Sequence, residues 1–337
     1  MRVWEIRQAF GLENLHETTR PDPSPGPGQV LVRVRAVSLN YRDLLTVRGH
    51  YNPRQPLPLI PCSDGAGEVV ALGAGVDRVA VGDRVTTSFA QKWLDGEPDK
   101  SVQRSTLGGP LDGTLAELMV LDQDGIVPAP PHLDHVSAST LPCAALTAWS
   151  ALFTLGELKP NELVLVQGTG GVSIFALQLA AAAGARVIVT SSSDEKLARA
   201  RTLGAWETIN YVRHEAWDQE VRRLTDGRGV DHVVEVGGAG TLARSVSAVR
   251  FGGRIALIGV LSGVSTEINV VPVLMQQIRI QGLLVGSRAG LEAMNDFIAR
   301  HRIEPVVDEV FDFGETRAAF DRLASARHFG KICIRLP

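Results

Sequence analysis

Cysteine is scarce in this chain. Its 337 residues hold three, Cys62, Cys143 and Cys333, widely spaced and without a CxxC pair. That spacing argues against a disulfide framework or a cysteine-cluster metal site, and it makes the cytoplasm the expected compartment. A surplus of either charge is missing too. Lys and Arg number 34 against 37 Asp and Glu, so nothing points to nucleic acid as a partner. Internal repeats and low-complexity segments are absent. The longest apolar helical stretch, near 174–183, is too short to span a bilayer, which argues against a membrane protein. The opening MRVWEIRQAF alternates like a half-exposed strand and lacks the charged and apolar regions of a signal peptide. Gly-x-Ser-x-Gly does not occur, so no serine-hydrolase triad is signalled.

What the chain has in excess is glycine, 34 residues, which suits tight turns and close backbone approaches to a ligand. Two textures divide it. Through 1–127 short strands such as QVLVRVRAVSL, DGAGEVVALG and GDRVTTSF alternate with Gly/Pro turns, which predicts a small twisted β-barrel. The polar stretch 92–105 reads as an excursion loop. Over 128–288 strands and helices alternate: LVLVQ, RVIVT, ETIN, VDHVVEV, GRIALIG and RIQGLLV are six apolar runs, with helices expected over 194–203 and 241–249 among others. Such a pattern predicts an α/β unit, a doubly wound parallel sheet able to bind a dinucleotide. The tail 289–337 carries a helix near 315–326 and a final strand, KICIRL, and is expected to complete the first unit.

LVLVQ runs straight into Gly168, Gly170 and Gly171, and a helix begins near Val172. Gly168 permits a tight turn and Gly170 a close backbone approach to a pyrophosphate, while the helix N-terminus offers unpaired N–H groups. Ser173 stands where the pattern prefers Gly or Ala, yet it is small enough for helix–strand packing. The second strand ends in Thr190, Ser191, Ser192 and Ser193, where a ribose-binding acid would favour NADH. Asp194 comes late and reads as an early-helix acid complementing the helix dipole. Ser191 and Ser192 can donate to a phosphate, and Lys196 can reach it, which favours NADPH; the alternative is a solvated loop tolerant of either cofactor.

These features, together with the run DGAGEVVALGAGVDRVAVGDRV, the segments LPCAALTAW and DHVVEVGG, and the closing HFGKICI, resemble the medium-chain dehydrogenase/reductase superfamily over essentially the whole chain. The resemblance implies a GroES-like β-barrel joined to a Rossmann unit. In the superfamily's zinc-type members a Cys, a His and a Cys hold catalytic zinc; the matching positions here are Asn40, Ser63 and Cys143, with Asp64 at the Glu beside the His. One thiol with an amide and a hydroxyl is not a zinc set, and 90–115 holds no cysteine for the structural zinc lobe. The chain is therefore most similar to the zinc-free, quinone-oxidoreductase-like branch. That likeness implies that Lys196 and Tyr211 hold the 2′-phosphate, Thr147 meets the nicotinamide, and Lys331 meets the pyrophosphate. It further implies that loops at Gly237, Gly259 and Ser287 line the cofactor, and that RIQGLLV pairs with its twofold mate in a homodimer.

Without a metal, a bare nicotinamide can still reduce a C=C bond conjugated to a carbonyl, because an enolate spreads its charge. A plain ketone or alcohol asks for a Lewis acid or a strong proton relay. Candidate donors to the substrate oxygen are Asn40, Tyr41, Arg42 and Tyr51; Asp43 is expected to brace the barrel, and Arg42 and Asp43 could instead pair at the surface. Phe89, Trp93 and Leu94 suggest an apolar or aromatic carbonyl-containing substrate. The expected function is thus NADPH-dependent, metal-free reduction of an activated double bond or quinone. An alcohol dehydrogenase or carbonyl reductase, and a catalytically quiet NADPH-binding protein, are the alternatives.

Overall fold

The computed structural model describes all 337 residues. They form two compact units, Met1–Leu146 with Gly286–Pro337, and Thr147–Val285. In chain order the first stretch carries strands β1 (Arg2–Ile6), β2 (Leu15–Thr19), β3 (Gln29–Ser38), β4 (Asp64–Leu72), β5 (Arg84–Thr87), β6 (Leu118–Asp122) and β7 (Ile126–Pro128). The middle carries β8 (Leu163–Gln167), β9 (Arg186–Ser191), β10 (Glu207–Asn210), β11 (Val230–Glu235), β12 (Val249–Leu257) and β13 (Arg279–Gly282). The last stretch adds β14 (Val307–Asp312) and β15 (Lys331–Arg335). No helix is long and apolar enough to cross a membrane.

The first unit is built on β3, which pairs antiparallel with β4, β6 and β15. The β4 glycines allow that pairing: a Cβ on Gly67 would sit 2.0 Å from the carbonyl oxygen of Arg33 on β3. Val30, Val32 and Val34 point from β3 into a core that also takes Phe313, Phe320 and Ile334 from the C-terminal segment. Burial of these apolar groups is what binds the two stretches into one unit. The unit runs to Leu146 rather than ending at 127, because the helix His135–Ser139 packs on β3, β4 and β15. The segment 92–105 is only partly loop, since Lys100–Arg104 is helical with Asp99 as its N-cap.

The second unit is a six-stranded sheet in the order β10-β9-β8-β11-β12-β13, every pair parallel. This is the strand order of a dinucleotide-binding Rossmann sheet, with its switch point between β8 and β11. Every residue of LVLVQ and of Val230–Glu235 is buried, as a sheet covered on both faces requires. The helix Gly171–Ala182 is apolar around most of its girth and stops before Gly184, whose φ of 80° suits a glycine terminator. RIQGLLV is strand only over Arg279–Gly282, and it lies at the sheet edge.

Candidate active site

In the second unit the turn after β8 has the predicted form. Gly168 takes φ 71° and its N–H donates to the Thr190 carbonyl at 2.8 Å, binding the turn to the end of β9. A Cβ added at Gly168 or Gly170 would meet nothing within 4 Å, so both open onto space. Gly170 caps the helix that begins at Gly171, with Val172 in its first turn. Bare backbone N–H groups in front of an open cradle are what a pyrophosphate needs. Ser173 keeps the packing and donates to the Gln167 carbonyl at 2.7 Å.

The serine run divides its labour. Ser191 is buried and its hydroxyl accepts from the Ser193 N–H at 3.3 Å, which leaves its own O–H free to donate. Ser193 is the N-cap, accepting from the Lys196 N–H, which leaves Ser192 as the exposed serine. The Tyr211 N–H donates to the Ser191 carbonyl at 3.1 Å, bringing Tyr211 beside the same strand end. Asp194 does sit in the first helical turn, and Arg213 and Asn210 engage both of its oxygens, Asn210 at 2.7 Å. The acid that follows the serine run is therefore already matched with a cation. Arg213 carried no sequence signal, since nothing in NYVRH marks its partner.

Behind the turn stands a group that sequence reasoning missed. Glu235, fully buried, accepts from the N–H groups of Gly237 (2.8 Å) and Gly238 (2.9 Å), from Thr241 (2.6 Å), from Gln167 (2.7 Å) and from Ser245. It fixes the loop that follows β11. Gly237 and Gly259 owe their identity to packing: a Cβ would strike the Thr241 side chain at one and the Val236 carbonyl at the other. Thr147 opens this unit within a helical run and is buried. The signal for Glu235 was an acid closing an apolar strand before two glycines.

In the first unit the predicted donors gather around the helix Tyr41–Val47, with Asn40 at its N-cap. The Asn40 N–H donates to Asp43 Oδ2 at 2.8 Å, and Asn40 Oδ1 accepts from Lys331 Nζ at 2.5 Å. Lys331 also donates to the Leu39 carbonyl at 2.6 Å and is 3% exposed. Its ammonium thus makes two contacts inside this unit, where the resemblance implied a pyrophosphate contact. Ser287, also expected at the cofactor, is the N-cap of the helix Arg288–His301 and accepts from the Gly290 N–H.

Asp64 is fully buried; Ser63 donates to its Oδ1 at 2.6 Å and the Cys143 N–H to its Oδ2 at 3.1 Å. Burial pushes its pKa up, while the Lys331 ammonium, the Asn40 amide and Ser63 pull it back. Asp43 is pushed up to about 6, chiefly by burial, with Arg42 opposing and Asp64 adding to the rise. Burial, reinforced by Asp64, also raises the Cys143 thiol, which makes it a poor nucleophile or thiolate ligand. Arg42 and Asp43 are not a surface pair: both are buried, 3.9 Å apart. Arg42 donates to the carbonyls of Leu107 (2.6 Å) and Gly109 (3.0 Å) and lies 4.8 Å from the Tyr51 ring centre. Tyr51 and Tyr41 are both exposed. Phe89 and Trp93 are buried, and Phe89 packs under Arg42.

Four buried side-chain atoms in this cluster have no hydrogen-bond partner: Asn40 Nδ2, Arg42 Nε, Asp43 Oδ1 and Thr46 Oγ1. Of these, Asn40 Nδ2 is the amide donor; it makes no full hydrogen bond but faces the Asp64 carboxyl, whose pKa it helps to lower. The residues do not form a metal site either, since no three His, Cys, Asp or Glu side chains come together.

Residues 26–131 match the family model of the alcohol dehydrogenase GroES-like domain, and 171–300 that of the zinc-binding dehydrogenase. A zinc-type alcohol dehydrogenase-like protein of Schizosaccharomyces pombe is 43% identical over 92% of this chain and 91% of its own. The chain belongs to the medium-chain dehydrogenase/reductase superfamily. It is an oxidoreductase. Within the superfamily, a quinone oxidoreductase of Pseudomonas aeruginosa is 35% identical over 92% of each chain. The crystal structure of an NAD-dependent alcohol dehydrogenase matches with a TM-score of 0.91 at 35% identity, covering all of both chains.

Proposed function

We propose that this superfamily member is an NADPH-dependent, metal-free reductase of activated double bonds, such as enones and enals, or of quinones. The observation that carries the reading is the buried, unpartnered Nδ2 of Asn40. Leaving such a donor unmade costs about 1–3 kcal/mol, and the cost is recovered when an acceptor arrives. Hydride addition to the β-carbon of an enone moves charge onto its carbonyl oxygen, which is such an acceptor.

NADPH supplies the hydride when bound. The open Gly168–Gly170 turn would take its pyrophosphate, and Ser192, Lys196 and Tyr211 its 2′-phosphate. The pairing of Asp194 with Arg213 and Asn210 favours the phosphate, because that acid is not left bare to repel it. A thiol raised by burial, an amide already bound to an ammonium and a hydroxyl given to Asp64 form no zinc set, so the reaction is assigned without one. Tyr51 and Tyr41 are candidate donors at the exposed side. The second reading, an alcohol dehydrogenase using NAD(P), is favoured by what two of the relatives are called.

Asn40→Ala tests the assignment. It should lower kcat/KM for an enone at least tenfold while NADPH affinity, by fluorescence titration, stays within about twofold; the full oxyanion effect of about 3–4 kcal/mol is an upper limit for a delocalised enolate. Unchanged enone kinetics would remove the reading. A homodimer through the β13 edge is part of the proposal, supported by the exposure of Val270, Val271, Leu274 and Met275 shortly before that strand in sequence. Light scattering at the dimer mass supports that interface, and a monomer refutes it.

A further inference from the structure

The closing strand places Lys331 opposite Asn40. β15 runs antiparallel to β3 with Cys333 opposite Ser38, so continuing that register sets position 331 across from position 40. The backbone bond from the Leu39 N–H to the Ile332 carbonyl, 2.9 Å, carries the pairing one step past the strand. At that point Lys331 turns inward and its ammonium reaches both the Leu39 carbonyl and the Asn40 side chain.

We propose that Lys331 is the positioning residue for Asn40, holding the amide oxygen so that Nδ2 is the group left for a substrate oxygen; this rests on the assignment of Asn40 above. An ammonium can only donate, so the Asn40 atom 2.5 Å from it must be the carbonyl oxygen. The contact therefore decides which way the amide faces, a choice an asparagine alone leaves open. It also fixes what is left over. With Oδ1 on Lys331, the remaining group is the NH2, buried, turned towards the Asp64 carboxyl and without a full hydrogen bond.

A cation on the amide oxygen draws charge from nitrogen and makes its N–H groups stronger donors. The helix end adds a second restraint, because Asp43 Oδ2 holds the Asn40 backbone N–H at 2.8 Å. Asp64, braced by Ser63 and the Cys143 N–H, supplies the counter-charge that a buried lysine requires. The two carboxylates and Lys331 thus make a rigid backing for one amide, the kind of support that keeps a donor in place through a reaction.

The test uses the full chain with Lys331→Met and Lys331→Arg. The expected result for each is a kcat on an enone at least tenfold lower, with NADPH dissociation constant and KM for NADPH within about twofold of wild type. Arginine keeps a cation, so it should rescue an anion contact but not the geometry of a 2.5 Å buried bond. The double variant Asn40→Ala/Lys331→Met should be no slower than Asn40→Ala alone, since both act through one group. A lysine that only held the fold would lower the melting point and give multiplied losses in the double variant. If Lys331→Met does not fold, Lys331→Arg alone decides between the outcomes. Near-normal kcat in Lys331→Arg, tenfold weaker NADPH binding with kcat intact in Lys331→Met, or multiplied losses would overturn the proposal. No effect of Asn40→Ala would instead remove the reading it stands on.

Discussion

Glu235→Gln is the most demanding test of how the loop after β11 is held. The wild-type carboxylate is aimed at by five donors and no acceptor: the Gly237 and Gly238 N–H groups, Thr241, Gln167 and Ser245. Glutamine has the same shape but must turn an NH2 towards one side. Facing Gly237 and Gly238 it would oppose two immobile backbone donors, so the NH2 turns towards Gln167 and Ser245. The Ser245 hydroxyl can rotate to accept. The Gln167 amide cannot, unless it flips and takes its Oε1 away from the Val236 and Gly237 N–H groups, each 3.3 Å from it. One or two charge-assisted bonds are lost in any arrangement, about 1.5–3 kcal/mol each, so roughly 3 kcal/mol is the expected cost. In a unit of this size that is about 10 °C in melting temperature. Thermal unfolding of the full chain reads the effect directly, and NADPH titration should show weaker binding as the Gly237 loop loosens. A variant that melts within about 2 °C of wild type and binds NADPH normally would refute this account of the loop.

Lys196→Ala should weaken NADPH at least tenfold, a loss of about 1.5–3 kcal/mol, and NADH little; fluorescence titration with both cofactors reads the difference, and an equal loss would assign Lys196 to the helix alone. Asp43 gives a pH signature: its folded pKa of about 6 lies above the unfolded 3.8, so the fold prefers its protonated form. Stability therefore falls as pH rises from about 4 through about 6, by up to about 3 kcal/mol at 1.36 kcal/mol per unit, and Asp43→Asn should abolish that slope and melt higher at pH 7.5. A variant that melts lower at pH 7.5 contradicts the sign. Elemental analysis of protein purified without chelator should find well under one zinc per chain, with activity unchanged by EDTA; stoichiometric zinc would contradict the donor argument.

Much of the second unit could be read from its residues. The runs LVLVQ and ETIN are strands over their full predicted lengths; LVLVQ is fully buried, as a continuous apolar stretch bounded by turns requires, while ETIN buries only Ile209. The glycine turn was equally legible, since its conformational demand is local. What escaped notice is long-range. Lys331 and Asn40 lie at opposite ends of the chain, and only the register of β15 on β3 brings them together. Arg213 and Asp194 meet because β10 lies beside β9, which no spacing announces. The serine run was readable in composition, and the fold then distinguishes its members: Ser191 is buried, Ser193 caps the following helix and Ser192 is exposed. The first unit extends past its apparent end because the helix His135–Ser139 packs on strands far from it in sequence.

The central claim is most directly tested by one panel: purified wild-type protein with NADPH and, separately, NADH, against a cyclic enone, a benzoquinone and a simple aldehyde, with the reverse reaction on a primary alcohol. Saturable NADPH consumption with the enone or the quinone, weaker use of NADH, and negligible alcohol oxidation is the predicted result. Brisk alcohol oxidation with no turnover of any enone or quinone would contradict the account.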